Sequence, residues 1–149
     1  MKIEEEIQQS SFKSAKQKSA VNLIYTYFWI KEHLAKNLKP FGITMQQYNV
    51  LRILRGQYPN GITTSDIRER MLDKMSDASR LVDRLTTLGL VDKKVNAEDR
   101  RLVSVKINDK GLELLEDIST RHGQMDLFMD NLTIDEHEKL NHLLDKLRG

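Results

Sequence analysis

The most constraining feature of this sequence is a change of hydrophobic period between Gly61 and Gly111. At first, apolar residues recur at three- and four-residue spacing, which is typical of an amphipathic helix. These residues are Ala78, Leu81, Val82, Leu85 and Leu88. The same spacing predicts that the opposite, exposed face of the helix carries Ser76, Arg80, Arg84 and Thr87. Gly89 follows as the expected helix stop. Beyond it the period shortens to two, as in a half-buried strand, so the chain must change from helix to sheet within a few residues.

Two strand patterns follow this glycine. The first contains Leu90, Val91, Lys93 and Val95, and the second contains Val103, Val105 and Ile107. Residues 96–101 between them include no long apolar side chain, which predicts a loop. Two strands joined in this way pair as a hairpin, and Arg100 and Arg101 then lie at or near its tip.

A shorter helix is predicted before the first pattern. Ile67 and Met71 are spaced to pack inward, and Thr63 or Thr64 is the N-cap candidate. Residues 72–74 form the turn to the next helix. Two helices joined by so short a turn cross steeply, which buries the first and presents the second. Together with the hairpin, this order predicts a winged helix-turn-helix.

These runs resemble a known family. The stretch SRLVDRLTTLGLV followed by EDRRLVSVKINDKG resembles the MarR family of regulators, and ITMQQYNVLRIL resembles the second helix of that family. The resemblance covers nearly the whole chain. It implies one domain over 1–149, mainly α with a small β-hairpin wing. A winged helix-turn-helix at 44–108 would be flanked by dimerisation helices at 10–40 and 109–149.

The resemblance also implies a transcriptional regulator that binds double-stranded DNA. Asp99 and Arg101 match the Asp-x-Arg pattern of the family's wing, where the arginine enters the minor groove and the aspartate orients it. Ser79 and Arg80 match the Thr/Ser-Arg pair of its recognition helix. Asn108 departs from the usual threonine but can equally cap the following helix. The predicted DNA-binding residues are Thr64, Ser76, Asp77, Ser79, Arg80, Arg84, Asp99, Arg100 and Arg101.

Charge is unevenly distributed along the chain, although the net charge is only +2. Residues 44–108 carry 12 Lys and Arg against 8 Asp and Glu, whereas residues 109–149 carry 5 against 10. A polyanion would be attracted to the central segment and repelled by the C-terminal one. The distribution therefore indicates separate DNA-binding and assembly regions.

Composition excludes several other classes of protein. The chain has no cysteine, which excludes disulfides, thiolate metal sites and thiol redox chemistry. Its first twenty residues are polar and charged, and no apolar run approaches the roughly 20 residues of a membrane span. We therefore expect a cytoplasmic protein with no membrane partner.

Nothing in the sequence indicates an enzyme, a cofactor or a metal site. The four histidines form no HExxH motif. His137 and His142 are five residues apart, which turns them about 140° away from each other on a helix.

The terminal segments indicate a homodimer. Apolar residues cover well over half the circumference of the helix predicted at 21–38, and a single packed face cannot use them all. At the other end, Thr133 and Glu136 form a capping box that opens a second apolar helix. A symmetric dimer would bury these faces and read an inverted-repeat operator with half-sites about 34 Å apart. The alternative is one monomer core that contains the long first helix.

A small effector, aromatic or anionic, is implied by the resemblance and would lie between the dimer helices and the winged domain. The candidate residues are Tyr25, Trp29, His33, Met45 and Tyr48, although each is also an acceptable core residue. The favoured interpretation is a dimeric repressor released by such a ligand. The alternative is a winged-helix module that binds protein and does not contact DNA. The arginines of the wing and of the second helix favour DNA, because a protein-binding surface would more often be apolar.

Overall fold

The computed structural model describes residues 1–95, 103–121 and 129–149. A short 3-10 helix, Lys39–Phe41, joins the second and third helices. The elements in chain order are α1 (Ile3–Glu6), α2 (Ala15–Leu38), α3 (Met45–Gln57), β1 (Ile62–Thr63), α4 (Thr64–Arg70), α5 (Ala78–Thr87), β2 (Val91–Val95), β3 (Val103–Ile107), α6 (Asp109–Arg121) and α7 (Ile134–Arg148). The expected mainly α fold with a small sheet is confirmed. The loop predicted at 96–101 lies outside the described residues.

The apolar core lies where α3, α4, α5 and the sheet meet, and α6 closes it from the C-terminal side. Its fully buried side chains come from every one of these elements. They are Val50, Leu51, Leu54, Ile67, Met71, Val82, Leu85, Val105, Ile107 and Ile118, and Leu38 from the end of α2 joins them. The core thus fixes the orientation of α5, which packs on both α3 and α4.

Helix α5 largely confirms the apolar stripe expected for it. Ala78, Val82 and Leu85 are buried, and Leu81 packs against the core as a partly buried residue. Leu88 is exposed instead, because the helix ends at Thr87 and Leu88 already occupies the C-cap position. Four of the five residues in the predicted stripe therefore face inward.

The hairpin is confirmed, and the sheet contains a third strand that the sequence did not predict. Strands β2 and β3 pair antiparallel from Val91↔Ile107 to Val95↔Val103. The two-residue strand β1 pairs with the other edge of β3, which gives the order β1-β3-β2. Gly61 precedes β1 where a Cβ would collide with the Ser104 hydroxyl. Two residues are too few to show a period of two, so β1 left no signal in the sequence.

Capping side chains set where the helices begin. Of the two candidates for α4, Thr63 is the N-cap: its hydroxyl accepts a hydrogen bond from the Asp66 N–H, and Asp66 accepts one from the Thr63 N–H. The hydrogen bonds from the Thr63 hydroxyl and backbone hold the pKa of Asp66 below its ordinary value. The capping box of Thr133 and Glu136 at α7 is also confirmed. Asn108 caps α6 as expected, since its Oδ1 accepts from the Gly111 N–H at 3.1 Å.

The terminal helices bury little of their apolar surface within one chain. Leu38, at the end of α2, is the one fully buried residue of that helix, and α7 buries none. Phe28 on α2 is 58% exposed and Leu147 on α7 is 67% exposed. Within the described ranges, no helix combines the length and apolarity that crossing a bilayer requires.

Candidate nucleic-acid interface

Helix α5 is held at both ends in a way that presents its polar face to solvent. At the start, Asp77 Oδ1 accepts a hydrogen bond from the Arg80 N–H at 3.0 Å. At the end, Gly89 adopts a left-handed φ of 69°, and its N–H donates to the Thr86 carbonyl at 2.9 Å. Because the inner face packs on the core, Ser79, Arg80 and Arg84 remain exposed.

Arg80 and Arg84 stand one helical turn apart on this exposed face. Within the described part of the chain, neither guanidinium forms a salt bridge or a side-chain hydrogen bond. Both arginines line a groove of about 320 Å³, which also includes Thr44 and Gln46 at the start of α3. Two exposed cations beside an open groove suit an anionic partner.

Asp83, on the same helix, does form a salt bridge. Its carboxylate forms a salt bridge with Lys93 of β2, with Nζ 2.8 Å from Oδ1. Both side chains are partly exposed, so the pair contributes little to stability. It links α5 to strand β2 of the hairpin, and the sequence did not indicate this role for Lys93.

The residues just before α5 differ from the prediction. Ser76 was expected on the exposed face of the helix, but it lies in the preceding turn, where its hydroxyl donates to Asp73 Oδ2 at 2.9 Å. The Asp77 carboxylate serves as the helix cap, so a direct contact of Asp77 with DNA stays a prediction. Thr64, the first residue of α4, lines a groove of about 490 Å³ together with Ser76 and Ser79.

The predicted wing residues Asp99, Arg100 and Arg101 lie outside the described residues. The structure does describe the base of the hairpin, where Lys93 and Lys94 are exposed and the paired strands extend away from the core. A positively charged base therefore leads to the part of the hairpin where the sequence places the two arginines.

A junction connects the end of α5 with the start of α6. The side-chain amide of Asn108 donates to the Gly89 carbonyl at 3.1 Å and to Asp92 Oδ1 at 3.2 Å. Lys110 Nζ donates to the Leu88 carbonyl at 3.4 Å. The sequence indicated Asn108 as a cap only, because its other two partners lie 16 and 19 residues away.

The five candidate effector residues lie in different places among the described residues. Tyr25 and Trp29 line a cavity of about 330 Å³ that also includes Glu6. The centre of the His33 ring lies 4.2 Å from the centre of the Trp29 ring. The Tyr25 hydroxyl donates to Glu6 at 2.5 Å, and this hydrogen bond raises the pKa of Tyr25.

The other two candidates lie elsewhere. Met45 lines a second cavity of about 420 Å³, together with Lys31 and Lys39. The Tyr48 hydroxyl accepts a hydrogen bond from Arg52 at 2.8 Å, and Tyr48 packs against the core. The described ranges contain no group of three or more His, Asp or Glu side chains able to hold a metal ion.

The sequence of this chain is similar to those of known proteins. The MarR family model matches residues 41–102. The multiple antibiotic resistance protein MarR of Salmonella typhimurium is 33% identical over 129 residues, which cover 84% of this chain and 88% of the relative. The HTH-type transcriptional repressor MdtR of Bacillus subtilis is 28% identical over 119 residues, covering 79% of this chain and 76% of the relative.

A solved structure extends the similarity to the fold. A mutant MarR from E. coli, crystallised in complex with operator DNA, matches with a TM-score of 0.71 and 30% identity, covering 85% of this chain and 91% of that one. The chain therefore belongs to the MarR family of transcriptional regulators.

Proposed function

We propose that this protein is a homodimeric repressor that binds an inverted-repeat operator in double-stranded DNA and is released by a small molecule. The observation that carries the proposal is the exposed face of α5, where Arg80 and Arg84 are free of salt bridges within the described residues. An apolar core behind this face holds the helix that carries both arginines.

The two arginines would have different tasks. Arg80 lies near the start of α5, the end of a recognition helix that enters the major groove, so it would donate two hydrogen bonds to a guanine edge. Arg84 lies one turn further along and would contact a phosphate. In the wing, Arg101 would enter the minor groove, with Asp99 orienting it and Arg100 beside it.

Dimerisation would bury the apolar surface that one chain leaves exposed. Ile24, Tyr27 and Phe28 form one such surface on α2, and Leu143 and Leu147 form another on α7. A twofold axis through these helices would place two α5 helices on half-sites about one duplex turn apart. The excess of acidic residues at 109–149 supports this assignment, because DNA would be repelled from that end.

The two cavities near the effector candidates differ in charge and would therefore suit different ligands. The cavity of Tyr25 and Trp29 contains Glu6, which disfavours an anion, so we propose a neutral aromatic ligand there. The cavity of Met45 is flanked by Lys31 and Lys39 and would suit an anion. Trp29 is the single tryptophan of the chain, so its fluorescence reports directly on the first cavity.

Selection of bound fragments from random DNA tests the proposal most directly. We expect the selected sequences to contain an inverted repeat, and we expect affinity to fall steeply as salt rises. In the recovered operator, Arg101→Ala should weaken binding strongly while the variant stays folded and dimeric. Enrichment of no sequence would contradict the proposal and favour the alternative, a winged-helix module that binds protein.

Release by a ligand is tested separately. A compound that quenches Trp29 should also weaken DNA binding, and DNA should weaken binding of that compound by the same factor, because coupling between two sites is reciprocal. Quenching with no change in DNA affinity would show that the cavity does not regulate this protein.

A further inference from the structure

The turn between α4 and α5 exposes two large apolar side chains. Leu72 is 83% exposed and Met75 is 93% exposed, whereas Met71, just before them, is 1% exposed. Met71 packs in the core and completes the contact between α4 and α5. Leu72 and Met75 therefore contribute nothing to the core of this chain, and their exposure needs another explanation.

Hydrogen bonds hold the backbone of this turn in place. The Leu72 N–H donates to Asn49 Oδ1 of α3 at 3.0 Å, and the Met75 N–H donates to Asp73 Oδ1 at 3.0 Å. The second oxygen of Asp73 accepts from the Ser76 hydroxyl. Because its backbone is held on both sides, the turn keeps Met75 directed away from the core.

The turn continues the surface proposed to face DNA. Met75 lines the same 490 Å³ groove as Thr64 and Ser79, and Ser79 belongs to the exposed face of α5. Arg68 and Lys74 line that groove as well, and both are exposed. An apolar side chain in the same groove as two cations matches a partner that offers apolar groups beside negative charges.

Duplex DNA offers such a combination in its major groove. The C5 methyl of thymine is the apolar group on a base edge there, and phosphates line both rims of the groove. We infer that Met75 contacts a thymine methyl group in each half-site, with Leu72 beside it and Lys74 near a phosphate. This inference rests on the proposed function and adds a base contact from the turn to those made by α5.

A matched pair of variants tests the contact. Met75→Leu keeps an apolar side chain of similar volume, whereas Met75→Gln keeps the length and loses the apolar character. We expect Met75→Gln to weaken operator binding about fourfold, which corresponds to one methyl group no longer buried, and Met75→Leu to stay within about twofold of the wild type. Both variants should unfold at the wild-type temperature, because Met75 lies outside the core.

Modified DNA tests the contact from the other side. Uracil replaces thymine without its methyl group, so each thymine of the half-site is replaced in turn. We expect one position where uracil weakens binding by the wild type about fourfold and has no effect on binding by Met75→Gln. Non-additivity of this kind indicates direct contact between the two groups.

The outcomes separate this inference from the proposed function. If the wild type binds a selected operator but Met75→Gln binds it equally well, or no uracil position shows coupling, the turn contact is wrong and the repressor assignment stands. If the wild type selects no DNA sequence, the proposed function is wrong and the turn contact is wrong with it.

Discussion

The central region, α3 to β3, and the terminal helices α2 and α7 use their apolar residues in opposite ways. In the central region Leu51, Leu54 and Ile67 have no exposed surface at all. On the terminal helices, side chains of the same kind, such as Phe28 and Leu147, are mostly exposed. The central region buries its apolar residues within one chain, whereas the terminal helices leave many of theirs exposed.

Charge also differs between the central segment and the C-terminal segment of the chain. The segment 44–108 has a surplus of four basic residues, and the segment 109–149 has a surplus of five acidic ones, as the counts above show. Stability and DNA binding should therefore respond to changes in the central region, and assembly should respond to changes in the terminal helices. Four experiments can contradict or refine this division.

Removing buried volume from the central region should have the largest effect. Leu54→Ala should lower the free energy of unfolding by about 2 to 5 kcal/mol, since it removes three buried carbon atoms and leaves a cavity. Chemical denaturation followed by circular dichroism measures this change. Leu72→Ala, at an exposed position, is the matched control and should change stability by less than about 0.5 kcal/mol. Equal losses for both would contradict the placement of the core.

A charge placed on the apolar face of α2 should weaken dimerisation. Phe28→Asp should raise the dimer dissociation constant by about 100-fold or more, because it buries an unpaired carboxylate in the interface. Analytical ultracentrifugation measures the constant, and circular dichroism should show the helical content of the central region unchanged. Thr26→Asp adds the same charge on the opposite side of α2 and serves as the control. A dimer that tolerates Phe28→Asp would place the interface elsewhere.

The central region was largely predictable from the sequence because its signals are local. Helix α5 has a clear period, and Gly89 lies immediately after it. The hairpin was predictable as well, since β2 and β3 are neighbours along the chain. Strand β1 was not, because it has two residues and its partner in β3 lies more than 40 residues away.

The candidate site was predictable only in part. Helical spacing correctly placed Arg80 and Arg84 on an exposed face, but it also placed Ser76 there, because periodicity does not show that the helix begins at Ala78. The salt bridge of Asp83 with Lys93 and the donor bonds of Asn108 depend on how separate elements pack. Spacing alone could not show that Trp29 and Met45 line different cavities, since cavities form between elements.

Replacing each of the two arginines of α5 should affect DNA binding in a different way. Arg80→Ala should weaken operator binding by about 1 to 3 kcal/mol and relax sequence preference at one position of each half-site. Arg84→Ala should weaken binding to all sequences alike and lower the slope of log affinity against log salt concentration by about one. Titrations over several salt concentrations, on the operator and on an unrelated duplex, distinguish the two. If Arg84→Ala changed the base preference instead, α5 would be seated differently in the groove.

Lowering the pH should have the smallest effect on stability. It acts on two capping boxes, one at α4 in the central region and one at the terminal helix α7. Hydrogen bonds to Thr63 and Thr133 hold the pKa values of Asp66 and Glu136 below their ordinary values of 3.8 and 4.5. Each carboxylate therefore stabilises the folded state above its ordinary pKa, and this stabilisation is lost as the pH falls through the lowered value.

Neutral variants test this linkage. Between pH 6 and pH 3, about the range of carboxylate titration, Asp66→Asn should lose less stability than the wild type, and Glu136→Gln should do the same for α7 alone. Unfolding curves measured across this range, with NMR signals from α4 and α7, follow the two regions separately. A steeper acid loss in either variant would contradict the sign of the linkage.

The junction at Asn108 has a consequence for how the molecule opens locally. The carbonyl groups of Leu88 and Gly89, directly after α5, accept hydrogen bonds from Lys110 and Asn108, whereas the carbonyl groups at other helix ends are commonly hydrogen-bonded to water. Fraying of α5 from that end must therefore also release the side chain that caps α6. We therefore expect the helix proposed to read DNA and the first helix of the C-terminal region to open and close together, as one cooperative unit of the native protein.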